Sequence, residues 1–427
     1  MKKTLWPVRP ACLALLAGAL SCSSNDSESP KASPPLDTIR TKAESLREEL
    51  IGIRRDIHMH PELSGEESRT AKLVADRLRA LGLDVRTDVG GHGVVGLLRG
   101  ARPGPVIAYR ADMDAMPDPE PPGRPHGSTV PGKFHICGHD LHVTVGLGVA
   151  SVLASMRADM QGTVVFLFQP AEETLKGAEA MLRDGALAGP RPDAIYALHT
   201  FPAPVGQMAY GAAFGGNDNF RIQLTGPNAT RELAEQLRKD LGALATVAPP
   251  ATLEQIDTML ADLQKENGPY ARALSMRPRV VADRTPIEVR GTVKVSSDDM
   301  FSAARESVAA IALRDLGAGN YVLAFPEAPF PAMVSDPAVS AAAAPSLSAV
   351  LGATNTLALR GVAVFPSEDF ELFLKRVPGA MFLLGVGNRA RGITGFPHMP
   401  DFDADEGAIE VGTKAMSHVI WQRLAQR

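Results

Sequence analysis

Cysteine is almost missing from this chain: 427 residues carry 3, at Cys12, Cys22 and Cys137. The first two fall in a leader-like N-terminal stretch, which leaves Cys137 with no partner for a disulfide in the folded body. Aromatic residues make up 5%, and Trp6, one of 2 tryptophans, stands at the extreme N-terminus. A stacking platform for bases or sugars is therefore not expected. Basic charge is not in excess either, with 44 Lys and Arg against 48 Asp and Glu and a net charge of -4. That balance argues against nucleic acid as a partner. What remains is the composition of a soluble globular protein, 45% hydrophobic and 22% charged, in a length that suggests two or three domains.

Lys2, Lys3 and Arg9 precede an apolar stretch over 11–20. It has the size of a signal h-region and is too short for the roughly 20 residues that span a bilayer. The stretch ends in Ala19-Leu20-Ser21-Cys22, which resembles the lipobox of bacterial lipoproteins, with Ala19 where Leu is usual. Residues 1–22 are thus expected to be a signal peptide with Cys22 as the lipidation site, and 23–35, polar and proline-rich, a flexible tether. The expected location is exported, on the outer or periplasmic side of a membrane, held there by the lipid anchor only. A lone thiol in that setting is prone to oxidation unless it is buried or ligates metal.

Periodicity gives the body its class. Ile39, Leu46, Leu50, Ile53 and Ile57 lie on one helical face. Ser64 and Glu67 have the spacing of a capping box for a second helix with Ala71, Val74, Leu78 and Leu81 inward. Short β-branched runs at 83–85, 94–98, 106–109, 163–168 and 194–198 then alternate with helical segments at 141–156 and 177–183. The expectation is an α/β fold: a layered catalytic domain with a mostly parallel sheet, interrupted by a smaller α+β domain. The boundaries predicted are 36–217 for the first catalytic part, 218–325 for the insert and 326–427 for the second catalytic part. Within the insert, strands at 220–224 and 287–295 and helices at 231–244, 253–264 and 299–316 are expected. The acidic pair Asp298-Asp299 reads as the cap of that last helix.

Polar segments follow these strands or lie in glycine-bounded loops: Asp112 and Asp114; His135, Cys137, His139 and Asp140; Glu172 and Glu173; and His199. In open α/β sheets, ligands sit beyond the carboxyl ends of strands. Thiolate, imidazole and carboxylate gathered there form a donor set suited to zinc and neighbouring transition metals. Plainer readings apply to each residue alone: a buried apolar thiol for Cys137 and a helix-start acid pair for Glu172-Glu173. His58, His60, His135 and His142 read as structural hydrogen-bonding residues, and His92, His126 and His418 as surface or helix residues.

The segments HICGHD (135–140), QPAEE (169–173), Leu198-His199, SEDF (367–370) and Pro397-His398 resemble the signature segments of the M20 metallopeptidase family, in its amidohydrolase branch. That branch is similar to N-acyl amino acid, hippurate and auxin-conjugate hydrolases. The stretches at 54–63 and 109–115 share the resemblance. It implies two divalent metal ions, zinc or manganese first and cobalt or nickel next, held by Cys137, His139, Glu173, His199 and His398. It further implies Glu172 as general base toward water activated by metal. Asp112, Asp114 and Asp140 would orient the ligands, and the smaller domain would serve as lid and homodimer contact.

The insert departs from that pattern. Where the family has a Gly-Lys-Gly-Gly-His-like segment, residues 220–226 are followed by 227–230 instead, and no histidine lies between His199 and His398. Lys294 stands where the family has Arg. Losing an oxyanion donor can cost about 10² to 10³ in turnover, and Asn228, Arg284 and Lys294 are the candidates to replace it. Three functions follow in order: an amidohydrolase of N-acyl amino acids or short peptides, a dipeptidase or carboxypeptidase, and a metal-retaining binding protein without hydrolysis. Retention of Glu172 argues against the third.

Overall fold

The computed structural model describes residues 36–427 apart from Asn228, Arg284 and Arg427. The expected signal peptide, Cys22 and the tether lie outside the described residues. In chain order the main elements are α1 (Leu36–Met59), α2 (Ser68–Ala80), β1 (Asp84–Arg86), β2 (Val94–Arg99), β3 (Arg102–Asp112), α3 (His139–Ser155), β4 (Gln161–Gln169), α4 (Gly177–Arg183), β5 (Ala194–Pro204), β6 (Met208–Tyr210), β7 (Ala213–Phe214) and β8 (Gly216–Leu224). They continue with α5 (Arg231–Gly242), α6 (Leu253–Leu263), β9 (Leu274–Val281), β10 (Glu288–Val295), α7 (Phe301–Leu316), β11 (Tyr321–Ala324), β12 (Met333–Val334), α8 (Pro337–Leu351), β13 (Thr356–Ala358), α9 (Phe370–Leu374), β14 (Gly379–Gly387) and α10 (Gly407–Ala425).

The large sheet has the order β1-β2-β4-β3-β5-β14-β6-β13. Its centre, β4-β3-β5-β14, is parallel, so four strands present their carboxyl ends toward one edge. Alternation along them explains the layers. Ile107 and Tyr109 of β3, Val164 and Phe166 of β4, Tyr196 and Leu198 of β5, and Phe382 and Leu384 of β14 enter one apolar cluster with α1, α3 and α10. Ala108, Val165, Leu167, Ile195, Ala197, Met381 and Leu383 enter the opposite one, with Met181 of α4 and Phe370 and Phe373 of α9. Both faces of the sheet are covered, as parallel strands require. Helix α3 is buried nearly all round, because α1 and α10 cover the side that the sheet does not.

A second sheet, β11-β8-β10-β9, packs with α5 and α7 around a separate apolar core that includes Phe220, Ile222, Leu237, Val293 and Val308. Helix α6 does not join it. Its stripe Ile256, Met259 and Leu263 is buried, and Met259, Leu263 and Tyr270 belong to the cluster of the large sheet. The carbonyls of Leu263 and Tyr270 accept hydrogen bonds from Arg360, Gly361 and Val362, and Asp257 pairs with Arg389.

Two expected caps are put to other use. Ser64 donates to Asp114 at 2.6 Å, and Glu67 accepts from Gly65 and Ala171; the loop before α2 braces the strand ends instead of closing a capping box. Asp298 accepts from the Ala332 N–H and Asp299 pairs with Arg272, so neither side chain caps α7. Among the described residues no helix is long and apolar enough to cross a membrane.

One buried ion pair clips α1 to the start of α3. Asp140, fully buried, lies 2.8 Å from Arg54 Nε and 2.7 Å from His58 Nδ1. Burial would raise the Asp140 carboxyl, but Arg54 and His58 outweigh it and hold the group far below the ordinary carboxylate range. The stability this contributes is present above the unfolded aspartate value of about 3.9 and is lost as pH falls toward the depressed folded value. Asp140→Asn should therefore lower the unfolding free energy by about 3 kcal/mol at pH 7, because the buried Arg54 and His58 lose their shared carboxylate and Glu406, 3.5 Å from Arg54, is left to answer the guanidinium. The deficit should narrow only below about pH 4. Urea unfolding checks both, and a variant as stable as the parent at pH 7 contradicts the assignment.

Candidate metal centre

Strand ends place the polar side chains. Asp112 is the last residue of β3 and Asp114 follows it, Glu172 and Glu173 follow β4, and His199 sits within β5 opposite Leu383 of β14. Cys137 and His139 flank Gly138, which has a φ of +87° and whose missing Cβ would meet Thr200 Cγ2 at 2.8 Å. Only glycine allows the loop to turn there against β5. Ala171 and His398 adopt left-handed φ of 54° and 61° without being glycine, backbone strain of the kind that collects at functional sites.

Five separate segments thereby converge. Donor atoms of Cys137, His139 and His199 lie within 4.8 Å of one another, and those of Cys137, Glu173 and His398 do the same. Cys137 belongs to both triads. Its Sγ is 3.4 Å from His199 Nε2, and Glu173 Oε1 is 3.8 Å from His139 Nε2 and 3.6 Å from His398 Nε2. Glu172 stands beside them, its Oε2 3.9 Å from His139 Nε2.

Hydrogen bonds fix the ring orientations. His139 Nδ1 donates to Asp114 at 3.2 Å and His199 Nδ1 donates to the Thr200 carbonyl at 2.8 Å, so both Nε2 lone pairs face the centre. Asp114 also accepts from the Glu173 N–H at 3.0 Å. His142 is spent otherwise: its Nε2 accepts from the Thr200 N–H and its Nδ1 donates to Asp112 at 2.5 Å. Asp112 thus orients His142 directly and stands 3.8 Å from His139 Nδ1. Asp140, expected beside the ligands, turns away to Arg54 and His58, since that guanidinium is the buried cation within its reach.

The charge balance is one-sided. Arg110, fully buried, contacts Asp112 at 2.5 Å, Glu368 at 2.8 Å and Asp369 at 3.1 Å, and its Nε donates to Gln169. The remaining acids have no such partner. Burial, then Glu368 and Glu173, push the Glu172 carboxyl well above its usual range against the pull of Arg110. Burial and the nearby aspartates raise Glu173 to about 8 against His139. Burial, followed by Glu173 and Glu172, pushes the Cys137 thiol well up. His139 is raised to about 10, because Asp112, Asp114 and Glu173 outweigh its desolvation. His139 Nε2 and Glu173 Oε1 are buried without a hydrogen-bond partner. With their protons displaced, these S, N and O atoms form a donor set that a divalent cation would take.

Arg110, Gln169, Glu368 and Asp369 have no role in the sequence reading. A charged Arg closing an apolar strand run was the available signal, and its partners lie 258 and 259 residues away. Of the proposed oxyanion donors, Asn228 and Arg284 lie outside the described residues. Lys294, half-buried on β10, lies within electrostatic range of Glu172 and Glu173, and burial together with Arg277 lowers it to about 8.

Comparison with known proteins agrees with this geometry. A sequence profile described as peptidase family M20/M25/M40 matches residues 108–422. The chain is 31% identical over 408 residues to the IAA-amino acid hydrolase ILR1-like 4 of Arabidopsis thaliana, covering 92% of this chain and 89% of that protein. It is 30% identical over 397 residues to thermostable carboxypeptidase 1 of Saccharolobus solfataricus, covering 90% and 97%. Among solved structures, the YXEP protein of Bacillus subtilis, described as a dinuclear metal binding peptidase from the M20 family, superposes with a TM-score of 0.67 at 28% identity, covering 89% of this chain and 99% of that one. The chain belongs to peptidase family M20/M25/M40.

Proposed function

We propose that this protein is a metal-dependent amidohydrolase that cleaves the amide bond of an N-acyl amino acid or a short peptide. Cys137, His139, Glu173, His199 and His398 would hold two divalent cations, with the Cys137 sulfur shared because it alone belongs to both donor triads. Zinc and manganese fit the mixed S, N and O donors. The observation that carries the reading is Glu172, a carboxylate 5% exposed that stands outside both Cys137 triads yet 3.9 Å from His139 Nε2.

Bound cations would supply Lewis-acid charge, which lowers the pKa of water from 15.7 toward about 7 and polarises a carbonyl oxygen. Glu172 then has a proton to move: its carboxylate accepts one from the attacking water and returns it to the departing amine. Its surroundings suit both halves of that task, since burial, then Glu368 and Glu173, raise its proton affinity while Arg110 restrains it. Asp114 holds His139 and the Glu173 backbone together, so one carboxylate orients two neighbours of the reacting group. Phe214 packs edge-on against the His199 ring, 5.5 Å between centroids. The similarity to both an amino acid conjugate hydrolase and a carboxypeptidase supports a substrate class spanning acylated amino acids and short peptides. A binder without chemistry has no use for Glu172 beside the donors.

Glu172→Gln in metal-reconstituted protein should lower kcat by about 10² to 10⁴-fold on a panel of acylated amino acids and dipeptides, with metal content by elemental analysis unchanged. Equal turnover of variant and parent contradicts the assignment. We also propose export and lipid anchoring at Cys22, supported by the basic, apolar and Ala19-Leu20-Ser21-Cys22 sequence that precedes the folded body. A fatty acid analogue should label the parent in a bacterial host and leave Cys22→Ser unlabelled; an unlabelled parent contradicts the anchor.

A further inference from the structure

The sheet β11-β8-β10-β9 is covered by helices on one face. Phe220, Ile222, Met276, Val289 and Val293 point into the core beneath α5 and α7, so alternation sends Arg221, Arg279 and Arg290 to the other face. The antiparallel register aligns them: Arg290 stands opposite Arg221 on one side and opposite Arg279 on the other. Three guanidinium side chains share one rung across three adjacent strands. Arg277 lies on the next rung, opposite Thr292, and Lys294 on the one after, opposite Ser275 and Asn217. Glu288, on the rung beyond Arg290 and opposite Gln223, pairs with Arg290 at 2.6 Å. Arg221, Arg277 and Arg279 are exposed.

This inverts the local charge of a chain whose net charge is -4. Like charges opposed across strands destabilise a sheet, a cost that the buried Glu288 offsets in part through Arg290. The direction of the row is informative. β8 begins at Gly216, next to Gly215, whose N–H donates to the Ala363 carbonyl and whose carbonyl accepts from Ser367 Oγ, beside Glu368. The Lys294 rung is therefore the end of the sheet nearest the centre. The arginine rung lies four residues farther out, about 13 Å at roughly 3.3 Å per residue.

We infer that this face is a binding track for an anionic extension of the substrate, a chain with carboxylates spaced along it such as an acidic peptide. Its scissile amide would reach the centre while distal carboxylates rest on the exposed Arg221 and Arg279, with Arg290, held by Glu288, between them. Planar guanidinium groups bind carboxylates bidentately, and a row of them reads a repeat of acids rather than a single one. The inference rests on the amidohydrolase reading for the bond cleaved, and on charge complementarity and continuity with the centre for the occupant. An anionic membrane surface fits the charge but not the row's continuation inward to Lys294.

Fluorescence anisotropy on full-length, metal-loaded protein tests it with labelled tetraglutamate, labelled tetraglutamine and vesicles containing an anionic lipid. Tetraglutamate should bind at least about tenfold more tightly than tetraglutamine, with the difference shrinking as salt rises. The exposed double variant Arg221→Gln/Arg279→Gln, checked for folding by circular dichroism, should lose most of that preference, and Arg221→Lys/Arg279→Lys should keep part of it. Equal binding of the two peptides, or a preference intact in the glutamine variant, overturns the track, and binding to vesicles without binding to tetraglutamate assigns the face to a membrane instead. If tetraglutamate binds as expected while no amide on the panel is cleaved, the track stands and the hydrolase reading falls. If amides are cleaved but the peptides bind alike, the track falls and the hydrolase reading stands.

Discussion

Asp112, Glu172, Glu368 and Asp369 are each 5% exposed or less, and they meet around one guanidinium, that of Arg110. Uncompensated buried carboxylates cost several kcal/mol each, so groups of this kind persist only when cations or proton donors answer them. Arg110 answers Asp112, Glu368 and Asp369. Glu172 and Glu173 are answered in part by His139, and His139 Nε2 and Glu173 Oε1 are left without a hydrogen-bond partner. The parallel centre of the sheet makes the crowding possible. Carboxyl ends of β3 and β4 deliver four of the acids, β5 brings His199 alongside, and the segment after β13 closes Glu368 and Asp369 over Arg110.

How much of this was readable in the sequence depended on distance along the chain. The apolar alternation of β3, β4 and β5 and the polar residues at their ends are local patterns, and they place Glu172, Glu173 and His199 at the edge where Cys137 and His139 also lie. His398 entered by resemblance, since a histidine in a loop has no periodic signal. Arg110 looked like an ordinary strand end because its partners are more than 250 residues away. Ser64 and Glu67 matched a capping pattern whose geometry the chain does not use, as Asp114 and Ala171 offer them buried partners instead. Asp140 was expected to orient the ligands, yet the first turn of α3 points it toward α1. For α6, amphipathic spacing was legible but the surface that receives its stripe was not.

The smaller sheet raises the same issue of charge with the opposite sign. Its inner face obeys ordinary alternation and builds a core, whereas its outer face sets arginines side by side where stability alone would favour mixed charge. Lys294 links the two regions, belonging to that face by register and to the centre by its electrostatic range of Glu172 and Glu173. A lid of this kind would be selected for what it attracts as well as for how it folds. The lone thiol fits the same economy, because Cys137 is buried at 4% exposure and is shielded from oxidants when it ligates metal.

The central claim is that both donor triads share the Cys137 sulfur. X-ray absorption on zinc-reconstituted protein, combined with elemental analysis, addresses it most directly. The account predicts two ions per chain and close to one sulfur neighbour per ion at about 2.3 Å, with that scattering lost in Cys137→Ser. A coordination shell of nitrogen and oxygen alone, or an average of about half a sulfur per ion with two ions bound, would contradict it.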